Sequence, residues 1–151
     1  MQGETNSSIV VNPIGYVRND ISVPLRGQQW GEVVSELILN AGLEEATEGL
    51  EQFSHIIVVF WMHKVPPGAD VPTKLHPRGR QDLPLVGLFA THAPHRPNPV
   101  GVSVVRLMER RGNVLKVKGL DAINGTPIID IKSYIPGADA DATVPPWVTR
   151  L

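Results

Sequence analysis

The chain has 151 residues, of which 42% are hydrophobic and 19% charged, and its formal net charge is −1. This size and composition predict one globular domain with its own core. No apolar run is long enough to cross a bilayer as a helix, and the absence of cysteine excludes disulfides and cysteine metal sites. The first residues, MQGETNSS, lack the basic start and apolar stretch of a signal peptide, so we expect a cytoplasmic protein.

The charged residues are unevenly distributed along the chain. Six glutamates and no lysine or arginine lie between Gly27 and His63, whereas four basic residues, three histidines and a single acid lie from Lys74 to Arg96. Local runs of charge often fold onto mixed surfaces. The alternative is that the second segment forms a basic rim around a site for an anionic ligand, and the sequence leaves both interpretations open.

The first half of the chain predicts three strands and one helix. Residues 9–18 resemble a strand that Pro13 restricts to an edge or a bulge, and residues 32–39 form the second strand. In GLEEATEGLEQF the apolar residues recur at helical spacing, which predicts a short amphipathic helix over 43–53. The apolar run HIIVVFWM, residues 55–62, follows as a buried strand.

The second half begins with a long proline-rich loop, residues 65–84, and loops of this length inside compact domains are usually functional or disordered. Four further strands are predicted after it, over residues 85–91, 101–109, 114–120 and 127–134. The hairpin sequence RRGN and the turn sequence Asn-Gly separate the last three strands. Beyond residue 136 the tail is polar and contains proline.

These elements predict a mainly β protein. An antiparallel sheet of about seven short strands tends to close or curl to protect its edges, so we expect a small closed or nearly closed barrel with one or two short helices. The regular alternation of strands and helices in doubly wound sheets is missing. We predict a single domain over residues 1–151, with its core at about 9–136.

Several common catalytic motifs are absent from the sequence. It contains neither GxGxxG nor GxxxxGK[ST], which argues against a standard nucleotide-binding fold, and neither GxSxG nor HExxH, which argues against a serine hydrolase or a zinc protease. The five histidines, His55, His63, His76, His92 and His95, do not form a compact set at known ligand spacing. We therefore predict no metal site.

The segment FATHAPHRPNPVGVSVVRL, residues 89–107, contains a stiff polar loop. Three prolines fix the backbone around His95, Arg96 and Asn98, which lowers the entropy cost of holding a ligand. Arg96 offers a forked donor for a carboxylate or phosphate, and Asn98 offers a donor and an acceptor for an amide-like or base edge. The alternative is a structural loop in which Arg96 and Asn98 bind backbone carbonyls.

Four motifs in order carry a resemblance to a known family. The segments NPIGYVRND, GLEQFSHIIVVFWMH, FATHAPHRPNPVGVS and GLDAINGTPIIDIKSYIP are similar to those of the TrmO/TsaA-like family, over about residues 9–136. The resemblance implies a small β-barrel, unlike Rossmann methyltransferases, that binds S-adenosyl-L-methionine (SAM), commonly as a dimer. The bacterial members methylate the exocyclic amine of a threonylcarbamoylated adenosine beside the tRNA anticodon.

The resemblance also implies a set of site residues in this chain. Asp121 could orient the amine or take its proton, as a catalytic residue. The residues implied to bind SAM are Asn19, Asp20, Ile21, Ser54, His55, His92, Arg96, Asn98, Leu120 and Asp121. We expect tRNA as the substrate, a homodimer, no bound metal and no membrane partner.

The chain departs from the family pattern at a few positions. His92-Ala93 stands where Arg-Ser is usual, Asn124 where Asp is usual, and Ser133 where Pro is usual. The first change weakens an expected cofactor or phosphate contact, because histidine is only partly charged near neutral pH. The longer bacterial enzymes also carry a C-terminal domain, whereas this chain ends at Leu151. Two alternatives therefore remain: a SAM- or nucleoside-binding module that acts through a partner, and a methyltransferase for a small metabolite.

Overall fold

The computed structural model describes residues 7–66, 70–137 and 139–151. In these ranges the chain forms eight strands, β1 (Gly15–Arg18), β2 (Val34–Leu39), β3 (His55–Trp61), β4 (Lys74–Leu75), β5 (Val86–Gly87), β6 (Val100–Arg111), β7 (Val114–Lys118) and β8 (Pro127–Ser133). Short 3-10 helices cover Gly27–Glu32, Ala41–Thr47, Leu50–Gln52, Pro77–Gly79, Leu88–Ala90 and Pro146–Arg150. None of the helices in these described ranges is long and apolar enough to span a membrane.

Six of the strands close into an antiparallel barrel in the order β1-β2-β7-β6-β3-β8. The ring is completed by pairing of the last strand with the first, where Gly15 lies opposite Ile128. The predicted mainly β fold with a closed barrel is therefore confirmed, with six barrel strands where the sequence predicted about seven. Closure leaves the barrel without free strand edges.

The strand predicted over residues 85–91 is not part of the barrel. Only β5 is extended, and it pairs with β4 in a separate two-stranded sheet. The chain then turns into the 3-10 helix Leu88–Ala90, because the Thr91 hydroxyl and amide both donate to the Leu88 carbonyl, at 2.7 and 3.0 Å. Leu88 is buried, which fixes this turn on the body of the protein.

The first predicted strand is shorter than expected. It begins at Gly15, whereas Ile9 and Val10 are 88% and 82% exposed. Pro13 has no amide hydrogen to donate to a neighbouring strand, so regular pairing starts only after it.

The prediction of one amphipathic helix over residues 43–53 is wrong about the kind of helix. Two 3-10 helices replace it, Ala41–Thr47 and Leu50–Gln52, and Gly49 between them has a left-handed backbone with φ of 91°. Glycine adopts this conformation readily, and it interrupts a continuous α-helix. Leu50 packs against the barrel core as the spacing predicted, but Ala46 and Phe53 are exposed.

The barrel interior is filled by every second residue of the strands. On β3, Ile56, Val58 and Phe60 are buried, and they alternate with residues that face outward. Burial of each such side chain stabilises the fold by roughly 1.5–3 kcal/mol. The core cluster comprises Val17, Leu37, Leu39, Ile56, Val58, Phe60, Val105, Leu115, Val117, Leu120, Ala122 and Ile128.

Both tight turns predicted from the sequence are present. Strands β6 and β7 form an antiparallel hairpin that turns at Gly112, where φ is 59°. The Asn124-Gly125 turn precedes β8, and φ of Gly125 is 83°. At both glycines a side chain would be strained by the positive φ, which explains the residue choice.

The second half of the long loop is anchored to the body of the protein. Pro77 and Leu83 are buried, and His76 Nδ1 donates to the Leu83 carbonyl at 2.8 Å. Asp82 forms ion pairs with Arg80 at 2.6 Å and with Arg150 at 3.2 Å. The C-terminal 3-10 helix therefore fastens this loop rather than extending away from it.

Candidate functional site

One end of the barrel collects most of the predicted site residues. In an antiparallel barrel the last residues of β1, β3 and β7 lie at the same end as the first residues of β2, β6 and β8. The described connections at this end, which we call the loop end, are residues 19–33, 62–66, 70–99 and 119–126. They contain Asn19, Asp20, Ile21, His92, Arg96, Asn98, Leu120 and Asp121.

Asn19 joins two of these connections. Its side-chain amide donates to the Ala122 carbonyl and to the Ser35 hydroxyl, both at 2.9 Å, and its side-chain oxygen accepts from the Ile21 amide at 2.9 Å. The amide and the oxygen of this side chain are therefore both hydrogen-bonded within the protein. Asn19 holds the adjacent Asp20, whose side chain is exposed, at the loop end.

Asp121 is an exposed carboxylate held in place by a hydroxyl that sequence reasoning missed. Ser103 on β6 donates to Asp121 Oδ1, and the preceding Leu120 is fully buried in the barrel core. The only signal for Ser103 in the sequence is a polar residue among the valines of VGVSVV. A buried anchor on one side and a hydroxyl donor on the other give this carboxylate a fixed orientation.

The proline-rich loop holds Arg96 on its own backbone. Arg96 Nη1 donates to the carbonyls of Thr91 at 2.9 Å and Ala93 at 3.1 Å, as the structural alternative for this loop foresaw. The guanidinium carbon also lies 5.6 Å from the ring centre of Phe89. His92 and Asn98 are exposed on the same loop. The structure thus fixes Arg96 on the loop while leaving the polar groups of His92 and Asn98 at the surface.

Ser54 and His55 lie at the opposite end of the barrel. They stand at the start of β3, and the rise of a strand places His55 about 20 Å from Trp61 at the loop end. Ser54 Oγ is 2.7 Å from His55 Nδ1, and the His55 ring meets Tyr134 edge-on, with ring centres 6.4 Å apart. A single copy of the chain does not bring this pair together with the other predicted site residues.

His63 is a loop-end residue whose position the sequence did not indicate. It follows β3, and its Nδ1 atom is buried without a hydrogen-bond partner among the described residues. Its other ring nitrogen approaches Gly125, at 3.8 Å from where a Cβ would stand. Burial, with a smaller effect of Lys64, lowers the pKa of His63 from its ordinary value, so the neutral ring predominates near pH 7.

The lowered pKa of His63 predicts a pH-dependent stability. Because the pKa of His63 is lower in the folded protein than in the unfolded chain, the neutral ring stabilises the fold. This contribution is present above pH of about 6.5 and is lost as the pH falls through the lowered pKa. The urea concentration at the unfolding midpoint of the native protein should decrease as the pH is lowered through this range. The decrease should be smaller in His63→Gln. The exposed His95 is the matched control, and His95→Gln should keep the native pH profile. An unchanged profile in His63→Gln would show that this ring does not titrate differently on folding.

An open cleft of about 460 Å³ adjoins the loop end on the outer face of β1, β2, β6 and β7. Asn19 and Asp20 line it together with two ion pairs, Arg18–Glu36 and Arg111–Glu109. Lys116 is the remaining charged residue of the lining, so positive and negative groups balance. Such a surface has no net preference for an anionic ligand. The described residues contain no group of three or more His, Cys, Asp or Glu side chains placed to hold a metal ion.

Comparison with known proteins identifies relatives over nearly the whole chain. The family model for the tRNA-methyltransferase O N-terminal domain matches residues 16–140. An S-adenosyl-L-methionine-binding protein of Archaeoglobus fulgidus is 35% identical over 135 residues, which cover 87% of this chain and 93% of the relative. The tRNA (adenine(37)-N6)-methyltransferase of Escherichia coli is 40% identical over 100 residues, which cover 64% of this chain and 42% of that enzyme.

The fold also matches a solved structure. The crystal structure of TrmO from Pseudomonas aeruginosa superposes with a TM-score of 0.69 and 35% identity, over 91% of this chain and 61% of that chain. The chain therefore spans about three fifths of the solved protein and less than half of the E. coli enzyme. The resemblance noted in the sequence is confirmed by the family match over most of its length: the chain belongs to the family of tRNA-methyltransferase O N-terminal domains.

Proposed function

We propose that the protein is a SAM-dependent methyltransferase that modifies the exocyclic N6 amine of an adenosine in tRNA. The observation that carries the proposal is the family match over residues 16–140. The names of its relatives, a SAM-binding protein and a tRNA (adenine(37)-N6)-methyltransferase, support the same cofactor and substrate. We propose that the specific substrate is the threonylcarbamoylated adenosine beside the anticodon. We also propose that the protein acts in the cytoplasm.

The groups exposed at the loop end fit SAM. SAM carries an ammonium group and ribose hydroxyls, which can donate to hydrogen-bond acceptors. It also carries an adenine edge, which can pair with a side-chain amide. Asp20 and Asp121 offer exposed carboxylates for the donors, and Asn98 offers both a donor and an acceptor for the base edge. The chemistry that SAM supplies when bound is an electrophilic methyl group on a sulfonium.

The role that we propose for the chain is to position the amine and accept its proton. Asp121 is the candidate for both tasks, because Ser103 orients its carboxylate and its side chain is accessible. Methyl transfer needs alignment of donor and acceptor more than it needs covalent chemistry. The stiff loop that carries Arg96 and Asn98 provides a wall that need not be ordered on binding.

A homodimer would bring together the predicted site residues that lie at opposite ends of the barrel. We propose that the Ser54–His55 end of one copy borders the loop end of its partner, which would place both groups at one cofactor site near the interface. The outer face of β6 supports an interface, since Val102 and Val104 are 63% and 50% exposed and lie opposite Val59 and Ile57 of β3. Light scattering should then give twice the mass of one chain at micromolar concentration, and a monomer would contradict the dimer.

Two alternatives stay open for the experiments. The A. fulgidus relative is named for SAM binding alone, which favours a binding module that acts through a partner. A small-metabolite methyltransferase would use the same cofactor site without RNA. Transfer of a methyl group to tRNA separates the proposed function from both alternatives.

Calorimetry with SAM tests the cofactor step directly. We expect a saturable heat of binding that is the same with and without a metal chelator, because the described acidic and histidine side chains do not form a metal cluster. Asp20→Asn should weaken SAM binding, and Asp141→Asn, which changes an exposed carboxylate of the C-terminal segment, is the matched control. Absence of both heat and a thermal shift at millimolar SAM would refute the proposed function.

A further inference from the structure

We propose that the ring of Phe89, with Arg96 on one side of it, is the stacking site for an unpaired nucleobase of the RNA substrate. The inference rests on the proposed function in that the substrate is an RNA. It goes further by naming the surface that receives a base and the residues that carry the contact.

Phe89 is an exposed aromatic ring on a fixed support. Its relative exposure is 78%, whereas Leu88 before it and Thr91 after it are buried. The Leu88 amide donates to the Thr73 carbonyl at 2.9 Å, and Thr91 closes the 3-10 turn from the other side. The ring is therefore presented to solvent by a backbone that cannot easily withdraw it.

The position of Arg96 favours a nucleobase over a purely apolar occupant. Its guanidinium carbon lies 5.6 Å from the Phe89 ring centre, and Nη1 is held by two backbone carbonyls of the loop. Among the described residues no acidic side chain forms an ion pair with Arg96, so its charge is available to an anionic ligand. Nucleotides combine a flat π-face with a phosphate, and proteins bind unpaired ones with aromatic rings and arginine planes.

The charge around the ring is also positive. Lys74 lies opposite Gly87 in the two-stranded sheet, two residues before Phe89. Lys74 is exposed and forms no ion pair among the described residues. Its charge suits a phosphate beside a stacked base. The basic run seen in the sequence thus contributes to this face through Lys74 and Arg96.

Replacement of Phe89 tests the inference. The probe is an anticodon stem–loop RNA, with binding measured by fluorescence anisotropy at two salt concentrations. Phe89→Ala should weaken binding by roughly 10- to 100-fold, because base stacking on an aromatic ring is lost. Phe89→Trp should retain the affinity, and RNA binding should quench the tryptophan fluorescence of this variant more than that of the native protein, which has three tryptophans. Leu85→Ala removes a neighbouring exposed apolar side chain that cannot stack, and it should bind RNA like the native protein.

The other results would overturn the inference, each in its own way. RNA affinity of Phe89→Ala within about twofold of native, or no quenching in Phe89→Trp, would show that no base stacks there. A loss of SAM affinity in Phe89→Ala would assign the ring to the cofactor site, and a changed mass in light scattering would assign it to contact with a second copy. If the native protein itself binds SAM but not RNA, the proposed RNA substrate fails together with the inference. If the native protein binds both SAM and RNA, and Phe89→Ala binds RNA equally well, the inference fails and the proposed function stands.

Discussion

Replacement of Asp121 by asparagine is expected to lower the rate of methyl transfer to tRNA by about 100-fold or more, with little change in stability. Proton transfer by a positioned side chain contributes roughly 10²- to 10⁴-fold to catalysis. Asparagine keeps the size of the side chain and can still accept from Ser103, so the fold should not change. What is lost is the carboxylate that accepts a proton from the amine.

Single-turnover methylation with Asp121→Asn, Ser103→Ala and Asp141→Asn would measure this effect. Ser103→Ala removes only the group that orients the carboxylate, and we expect a smaller loss of rate than in Asp121→Asn. Asp141 is an exposed carboxylate of the C-terminal segment that the proposed site does not use, and Asp141→Asn should react at the native rate. A rate within threefold of native in Asp121→Asn, at saturating SAM, would exclude Asp121 as the proton acceptor.

Replacement of Gly101 by alanine is expected to destabilise the barrel by roughly 1–3 kcal/mol. A Cβ at this position would stand 2.3 Å from two atoms of the Phe60 ring, which is only 3% exposed. The ring is enclosed by the core and cannot move aside without displacing its neighbours. Without this clash, alanine in a strand would stabilise the protein relative to glycine, so the sign of the effect is informative.

Urea unfolding of a double-mutant cycle can assign the effect to this contact. Phe60→Leu removes the ring atoms that the new Cβ would meet, and the double variant Gly101→Ala with Phe60→Leu should be more stable than the sum of the single changes predicts. Gly42 has open space where a Cβ would stand, so Gly42→Ala is the matched control and should cost little. Equal stability of Gly101→Ala and the native protein would mean that the core has room that the structure does not show.

The strands with long apolar runs were predicted most accurately. The pattern of HIIVVFWM fixes β3 to within one residue, and β6, β7 and β8 also follow their predicted runs closely. Prediction was weaker where backbone hydrogen bonds decide the outcome. Gly49 splits the predicted helix, and the Thr91 hydroxyl converts the end of a predicted strand into a 3-10 turn. Neither effect appears in hydrophobic periodicity, which measures burial alone.

The candidate site could be predicted only in part for a similar reason. The resemblance pointed to Asp20, Asn98 and Asp121, which the barrel gathers at one end. It could not place Ser54 and His55, because strand direction and pairing order determine which end of the barrel a residue occupies. The Ser103–Asp121 hydrogen bond joins residues that are 18 apart in the sequence, and the Arg96–Phe89 contact depends on how the proline-rich loop folds back on itself. Such contacts have no local signal in the sequence.

The most direct test of the central claim is transfer of a labelled methyl group from SAM to tRNA, followed by mass analysis of the nucleosides. The substrates are tRNA that carries threonylcarbamoyladenosine beside the anticodon and the same tRNA without that modification. We predict that the label enters the N6-methylated form of the modified adenosine and that the unmodified tRNA receives little or none. Absence of label from both tRNAs, with a folded protein that binds SAM, would contradict methylation of tRNA by this protein.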